Sequence, residues 1–198
     1  MIVVSLIAVI SGMLEHRLLT RLTDGAFASQ AEATAAAHAS DALQAVVASV
    51  QVITFLASGI VLLMWIYRAN FNARALGAAT MQFTPGWSVG WYFVPFVNLW
   101  KPHQAMREIW QASANPHNWR DESVPSLLGW WWFLWIVSNI LGNASFRMSL
   151  AAKAISAMLA ANIVTLIADI VETPLCVIVL LLVSRIYKMQ MAEAAPRV

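Results

Sequence analysis

Long apolar stretches alternate with shorter polar ones along this chain, and the apolar stretches are long enough for membrane-spanning helices. The clearest one is Leu43–Tyr67, in which Val46–Ile66 carries no charge. A bilayer needs about 20 mostly apolar residues in one helix, so this stretch predicts a complete span. Trp65 and Tyr67 at its end, followed by Arg68, are typical of a membrane–water interface.

The same pattern predicts three further spans, at residues 1–19, 127–142 and 162–187. The first begins abruptly at Met1. It lacks the basic region that opens a signal peptide, and Ala26-Phe27-Ala28, which resembles a cleavage site, lies too far beyond its apolar part. We therefore expect a retained first span. A misassigned start codon would give the same abrupt beginning.

Polar connections separate these predicted spans. Thr20–Asp41 is rich in alanine and has little apolar periodicity, so we expect a surface helix or loop outside the bilayer. Asn143–Lys153 is a second polar stretch. We expect it to interrupt the helices before a long final helix from about Ala154 to Met189.

The segment Thr84–Leu99 is apolar and aromatic, but it is too short and too interrupted for a regular span. Its helix-breaking residues are Pro85, Gly86, Gly90 and Pro95. Irregular backbone is tolerated at membrane depth only where protein or water covers it. We therefore expect a re-entrant, kinked or interfacial segment. An amphipathic helix, Pro102–Ser113, follows and packs on it, with proline at the favoured first position.

Composition agrees with a membrane fold. Of the 198 residues, 60% are hydrophobic and 11% are charged, against about 25% charged in soluble domains. The formal net charge of +2 is too small for a nucleic-acid binder. The single cysteine, Cys176, excludes an intrachain disulfide and CxxC motifs. The predicted fold class is an all-α polytopic membrane helix bundle in one domain, residues 1–198, with four full spans and one broken segment.

Lysines and arginines predict the orientation of this bundle. If Thr84–Leu99 does not cross the membrane, eight of them share the side of Lys101–Arg120 and four lie opposite. A five-span alternative, in which that segment does cross, also gives eight to four. The count does not choose between the two, but both place Lys101–Arg120 and the C-terminus in the cytoplasm.

Residues 72–110 carry an unusual motif. It consists of Asn72-x-Arg74-Ala75-Leu76-Gly77, Pro85-Gly86-Trp87, Gly90-Trp91, Val94-Pro95-Phe96-Val97-Asn98-Leu99-Trp100-Lys101-Pro102 and Met106-Arg107-Glu108-Ile109-Trp110. With these residues the chain resembles the bacterial membrane family called "domain of unknown function 4328", from Leu43 to Leu182. The resemblance implies a small multi-pass protein of the bacterial cytoplasmic (inner) membrane. It implies no activity, because the family has no assigned chemistry.

Asp169 and Glu172 are the first candidate site. They stand three residues apart on one face of an otherwise apolar helix, with Thr165 one turn earlier and Cys176 one turn later. Carboxylates at membrane depth are costly and are typical of proton or cation paths. A structural interpretation competes with this one. If the last span begins at Ile170, both acids lie near its first turn and complement the helix dipole.

The amphipathic helix supplies a second set of candidates, His103, Arg107 and Glu108, and Asn98 lies just before it. These residues form either a polar site that faces the broken segment, with Glu108 moving a proton, or a solvated cytoplasmic face. The broken segment itself is either a ligand site or purely architectural. Its structural positions, with those of the following helix, are Pro85, Gly86, Trp87, Gly90, Trp91, Pro95, Pro102 and Trp110.

No metal site, cofactor or enzyme motif is predicted. The four histidines form no i, i+4 pair, and nucleotide loops, dinucleotide fingerprints and GxSxG elbows do not occur. We therefore expect a non-catalytic scaffold or accessory subunit in the lipid bilayer that binds membrane partners or copies of itself. The alternatives are a small transporter or channel that uses Asp169 and Glu172, and a membrane enzyme acting on a lipid or prenyl substrate.

Overall fold

A computed structural model describes residues 1–78 and 80–195, and these residues form helices and turns without any strand. The α-helices in this part of the chain are α1 (Ile2–Thr23), α2 (Gln30–Ala75), α3 (Pro85–Gly90), α4 (Lys101–Ala114), α5 (Ser126–Ala151) and α6 (Ile155–Ala194). Short 3₁₀ helices at Trp91–Phe93, Val97–Leu99 and Trp119–Asp121 lie in the connections on either side of α4. The all-α prediction is confirmed.

Three of the described helices, α1, α2 and α6, are long and apolar enough to cross a membrane. They contain 22, 46 and 40 residues, and a helix rises about 1.5 Å per residue. Each therefore reaches across a hydrocarbon core of about 30 Å. Helix α5 has 26 residues but is not one of these three. Its polar residues Asn139, Asn143 and Arg147 lower its apolar content.

The helices extend further than the sequence predicted. Helix α2 begins at Gln30, so most of the alanine-rich connection is the first part of the helix that contains the second predicted span. The predicted break at Asn143–Lys153 was wrong, because α5 continues to Ala151. Arg147 Nε donates a hydrogen bond to Asn143 Oδ1 at 3.1 Å. Polar side chains one turn apart thus satisfy each other within the helix.

The chain divides into two compact units, and α2, α5 and α6 contribute to both. Of the described residues, the first unit comprises 1–57 and 134–177, and the second comprises 58–78, 80–133 and 178–195. The first unit buries small and polar residues. They are Ser5, Ala8, Ser11, Gly12, Ala161, Asn162 and Asp169. The second unit has an apolar core with Ile66, Ile109, Leu128, Trp131, Leu182 and Ile186 at its centre.

The segment Thr84–Leu99 is irregular, as predicted. Its only α-helix is α3, in which the Thr84 hydroxyl accepts the Trp87 amide hydrogen and Pro85 occupies the first position. Six residues rise only about 9 Å, which is far less than a bilayer requires. Helix α4 begins one residue earlier and ends one residue later than predicted. The segment therefore contains no helix that could provide a fifth span.

Candidate functional site

Polar side chains of the first unit share one face of α6. They are Asn162, Thr165, Asp169, Glu172 and Cys176, which follow one another at intervals of three or four residues. This spacing keeps all of them on one side of the helix. Asp169 is only 7% exposed. Because α6 begins at Ile155, both acids lie well inside the helix and do not complement the dipole at its start.

Asp169 is held by a residue of the helix that contains the second predicted span. Gln51 Nε2 of α2 donates a hydrogen bond of 2.8 Å to Asp169 Oδ1. Glu172, one turn further along α6, is half-buried and interacts with Asp169 and with Ser5 of α1. The structure thus brings the two predicted acids together and surrounds them with polar groups of α1 and α2. We call Gln51, Asp169 and Glu172 the Asp169 level.

Asn162 binds a second group of ionisable residues, which the sequence analysis missed. Its Nδ2 donates to the Glu15 carboxylate at 2.9 Å and to the Gly12 carbonyl at 3.1 Å. Its Oδ1 lies 3.1 Å from His16 Nδ1. Asn162 is one heptad before Asp169, so the seven-residue spacing along α6 is the signal that could have revealed it.

Helix α2 repeats the spacing of α6. Gln44 Nε2 donates to the Ser11 carbonyl at 3.0 Å, and Gln51 follows Gln44 by the same seven residues that separate Asn162 from Asp169. The Ser11 hydroxyl is buried and has no hydrogen-bond partner within the described ranges. We call Ser11, Glu15, His16, Gln44 and Asn162 the Asn162 level. It lies about 10 Å along α6 from the Asp169 level.

An open cleft lies beyond the Asn162 level, on the side away from Asp169. It has a volume of about 310 Å³ and is lined by Leu22 of α1, Gln30 and Ala33 of α2, Ile155 of α6, and residues of the α1–α2 turn. Ile155 precedes Asn162 on α6 by the same seven-residue interval. A cleft of this volume holds several water molecules.

In the second unit, Glu108 supports a loop instead of facing solvent. It is 4% exposed, and its two carboxylate oxygens accept the backbone N–H groups of Gln82 and Phe83. Arg107, its neighbour on α4, is exposed. The interpretation of a solvated face was therefore wrong for Glu108, which is buried.

Arg74 and Asn70 bind the same loop from α2. Arg74 Nη2 donates to the carbonyls of Met81 and Phe83 at 2.7 and 3.0 Å, and Asn70 Nδ2 donates to the Phe83 carbonyl at 2.9 Å. Side chains of the sequence motif thus attach both α2 and α4 to the same part of one loop. Their contacts are structural, since every one of these bonds goes to the backbone.

Gly77 explains why the motif contains a glycine at the start of this loop. Its φ is +119°, a conformation that L side chains rarely adopt. A Cβ at this position would also lie only 2.9 Å from the His117 ring. Both the conformation and the lack of space require glycine.

The broken segment and the residue that follows it expose four large aromatic side chains. They are Trp87, Phe93, Phe96 and Trp100. We call these four residues the aromatic surface. Phe96 is 79% exposed, the highest value among them. Gly90 lets the Trp87 ring pack against the α3 backbone, since a Cβ there would lie 3.1 Å from this ring. Trp91 stacks on Trp87 with ring centroids 4.6 Å apart.

Phe96 adopts an uncommon backbone conformation. Its φ and ψ are +63° and −46°, and the Val97 amide donates to the Pro95 carbonyl at 2.7 Å. These features define a γ-turn of the positive-φ type, which is strained for any residue other than glycine. The turn places the apolar Phe96 ring outside the fold.

His103 and Asn98 lie at the start of α4 and just before it, and both are half-buried. The His103 ring packs 5.9 Å from the Trp132 ring. Burial lowers the pKa of His103, and the positive charge of Arg107 lowers it further. His103 is therefore neutral at pH 7. Both residues belong to the second unit, whereas Asp169 and Glu172 belong to the first.

These features define the class of the protein: an all-α chain with three helices able to cross a membrane and ionisable side chains packed among them. The model of the family described as "Domain of unknown function (DUF4328)" matches residues 28–188, and the chain belongs to this family. The match confirms the resemblance and extends it at both ends. Neither a curated protein nor a solved structure matches the chain.

Proposed function

We propose that this protein is a small membrane transporter or channel that passes a proton or a small cation along the polar face of α6. In this proposal α5 provides a fourth span beside α1, α2 and α6. The orientation follows the lysine and arginine distribution, with Lys101–Arg120 in the cytoplasm.

The position of Asp169 carries the proposal. It is a carboxyl group buried well inside an apolar helix, and it accepts a hydrogen bond from an uncharged amide, that of Gln51. An acid at the centre of a membrane helix costs about 2.5–3.5 kcal/mol. An interhelical hydrogen bond in a membrane returns about 0.6 kcal/mol on average. We therefore attribute the acid at this position to ion transfer, since one interhelical hydrogen bond offsets only part of the cost of an acid within a membrane helix.

The scaffold function remains the competing proposal, and the aromatic surface favours it. A scaffold would use these exposed rings to bind a partner or a second copy of the chain. It assigns no role to the Asn162 and Asp169 levels beyond holding α1, α2 and α6 together. The two functions therefore differ in whether Asp169 must carry an exchangeable proton or charge.

Ion flux in liposomes tests the proposed function. The purified full chain is reconstituted, and proton and sodium fluxes are measured under an imposed membrane potential. We expect Asp169→Asn to reduce the flux to that of empty liposomes. Asparagine has nearly the same volume and still accepts the Gln51 hydrogen bond, so the variant should keep the fold.

Asp24→Asn is the matched control, because Asp24 is an exposed acid at the end of α1. It should leave the flux unchanged. Circular dichroism and size-exclusion chromatography establish that each variant is folded. A wild-type chain with no flux above empty liposomes, or an Asp169→Asn variant with wild-type flux, would refute the transport proposal. A stoichiometric protein partner that co-purifies with such a chain would support the scaffold.

A further inference from the structure

We infer that the transported ion is the proton, and that His16 of the Asn162 level exchanges it with water at the end of the first unit where the cleft lies. This inference rests on the proposed function and assigns a role to residues that the transport proposal alone does not require. The hydrogen bonds of the Asn162 side chain are the observation behind it.

The Asn162 amide determines which nitrogen of His16 carries hydrogen. Both N–H groups of the amide are used, one toward the Glu15 carboxylate and one toward the Gly12 carbonyl. The amide oxygen therefore accepts, and His16 Nδ1, 3.1 Å away, must donate. The neutral His16 ring consequently has its hydrogen on Nδ1 and a bare lone pair on Nε2.

A bare Nε2 is a proton acceptor, and imidazole gains and loses protons near neutral pH. Nε2 takes a proton from a hydronium ion, which leaves water, and the ring becomes imidazolium. On release the same N–H bond breaks, the proton passes to a water molecule, which becomes hydronium, and the neutral ring returns. The Nδ1–H bond to Asn162 persists in both states, so the ring keeps its orientation throughout the exchange.

The surroundings of His16 suit an exchange site at the edge of the membrane. The ring is half-buried, whereas Asp169 is buried about 10 Å deeper along α6. The open cleft near Leu22 and Ile155 lies on the opposite side of the Asn162 level from Asp169. Two carboxylates lie close to the site, Glu15 on α1 and Asp41 on α2, and they interact with each other.

The same groups fit a proton better than a metal cation. A desolvated Ca²⁺ or Mg²⁺ ion needs six or more oxygen ligands. Throughout residues 1–78 and 80–195, no three His, Cys, Asp or Glu side chains come together to hold a metal ion. Each level instead offers carboxylates with amide or hydroxyl groups, and these can bind a proton without further ligands. The buried, unpartnered Ser11 hydroxyl adds a polar group within the Asn162 level.

Proton flux in liposomes that contain a pH-sensitive dye tests the role of His16. With a potassium diffusion potential as the driving force, we expect wild-type flux in sodium-free buffer. His16→Gln should reduce this flux to the level of empty liposomes. His38→Gln is the matched control, because His38 is an exposed histidine of α2 in the same unit. It should retain wild-type flux.

A spectroscopic measurement on the unmodified chain keeps the inference testable if His16→Gln does not fold. In protein with ¹⁵N-labelled histidine, we expect His16 near pH 8 to show a protonated Nδ1 and a bare Nε2. This is the less common neutral form. A His16 ring protonated at Nε2 alone would overturn the assignment.

The outcomes separate this inference from the transport proposal. Folded His16→Gln with wild-type proton flux, beside an inactive Asp169→Asn, overturns the role of His16 and leaves transport intact. A flux that requires sodium overturns the proton assignment only. The absence of any flux in the wild-type chain overturns both.

Discussion

Glu108 determines the shape of the loop between α2 and α3, because its carboxylate accepts two backbone N–H groups at the end of that loop. The two N–H donors replace part of the hydration that the carboxylate loses on burial. Arg74 and Asn70 bind the carbonyl groups of the same segment. The loop is thus held on both sides by side chains of the sequence motif.

Glu108→Gln should loosen this loop without disturbing the apolar core. Glutamine offers one acceptor oxygen, and its NH₂ group would face one of the two backbone donors. A buried donor left unpaired costs about 1–3 kcal/mol, so we expect a loss of unfolding free energy of about 2 kcal/mol. Hydrogen exchange in detergent should show faster exchange at Gln82 and Phe83.

Glu122→Gln serves as the control for this variant. Glu122 is a half-buried acid of the same unit, and its backbone carbonyl, not its side chain, accepts the hydrogen bond from Gln111. The control should keep slow exchange at the loop. Equal exchange at Gln82 in wild type and Glu108→Gln would show that the carboxylate does not hold the loop.

The γ-turn at Phe96 lies in the broken segment, between α3 and α4. The positive φ costs about 1–3 kcal/mol for any residue with a Cβ, yet the Phe96 ring makes little contact with the fold. Aromatic residues concentrate where a membrane meets water. We therefore expect the aromatic surface to insert into the interfacial layer of the bilayer.

Substitutions at Phe96 separate the strain from the role of the ring. Phe96→Gly relieves the strain but adds about 0.5–1 kcal/mol of backbone entropy to the unfolded chain. We expect it to be more stable than Phe96→Ala by about 1 kcal/mol, because alanine keeps the strain and also lacks the ring. Thermal unfolding in one detergent compares the two variants. A Phe96→Ala variant at least as stable as Phe96→Gly would contradict the strained turn.

The depth of the aromatic surface can be measured because the chain has one cysteine. In a Cys176→Ser background, a nitroxide at Phe96→Cys should be relaxed more by lipid-soluble oxygen than by a water-soluble nickel chelate. A nitroxide at Gln104→Cys, an exposed polar position of α4, should show the reverse. Greater access of the nickel chelate at residue 96 would place the surface in water.

The number of times that the chain crosses the membrane depends on α5. Helices α1, α2 and α6 have the necessary length and hydropathy, and α5, with 26 residues, also has the necessary length. If α5 crosses, residues before it and after it lie on opposite sides of the membrane. If it does not cross, they lie on the same side.

Single cysteines in the Cys176→Ser background decide between these topologies. Asn118 precedes α5 and Lys153 follows it, and both side chains are exposed. With four spans, we expect a membrane-impermeant thiol reagent to label Lys153→Cys in intact cells and Asn118→Cys only after permeabilisation. Labelling of both positions under the same condition would exclude α5 as a span, and the reverse pattern would invert the predicted orientation.

The sequence by itself determined the helical class, the membrane character, the family and the irregular segment near Pro95. These properties depend on local features: apolar runs of a certain length, prolines and glycines that interrupt a helix, and a specific motif. The hydropathy pattern does not mark where a helix ends when polar residues can bond within it. This is why Asn143 and Arg147 were expected in a break and lie inside α5.

Only the tertiary structure decided which polar residues meet. The sequence placed Asp169 and Glu172 on one helical face, but Gln51 lies more than a hundred residues away, and His16 and Glu15 are still further from Asn162. The sequence left Glu108 either in a polar site that faces the broken segment or on a solvated face, and packing turns it inward to bind the loop at Gln82. Periodicity shows which residues share a helix face. Packing between helices determines which other residues that face contacts, and this depends on distant parts of the chain.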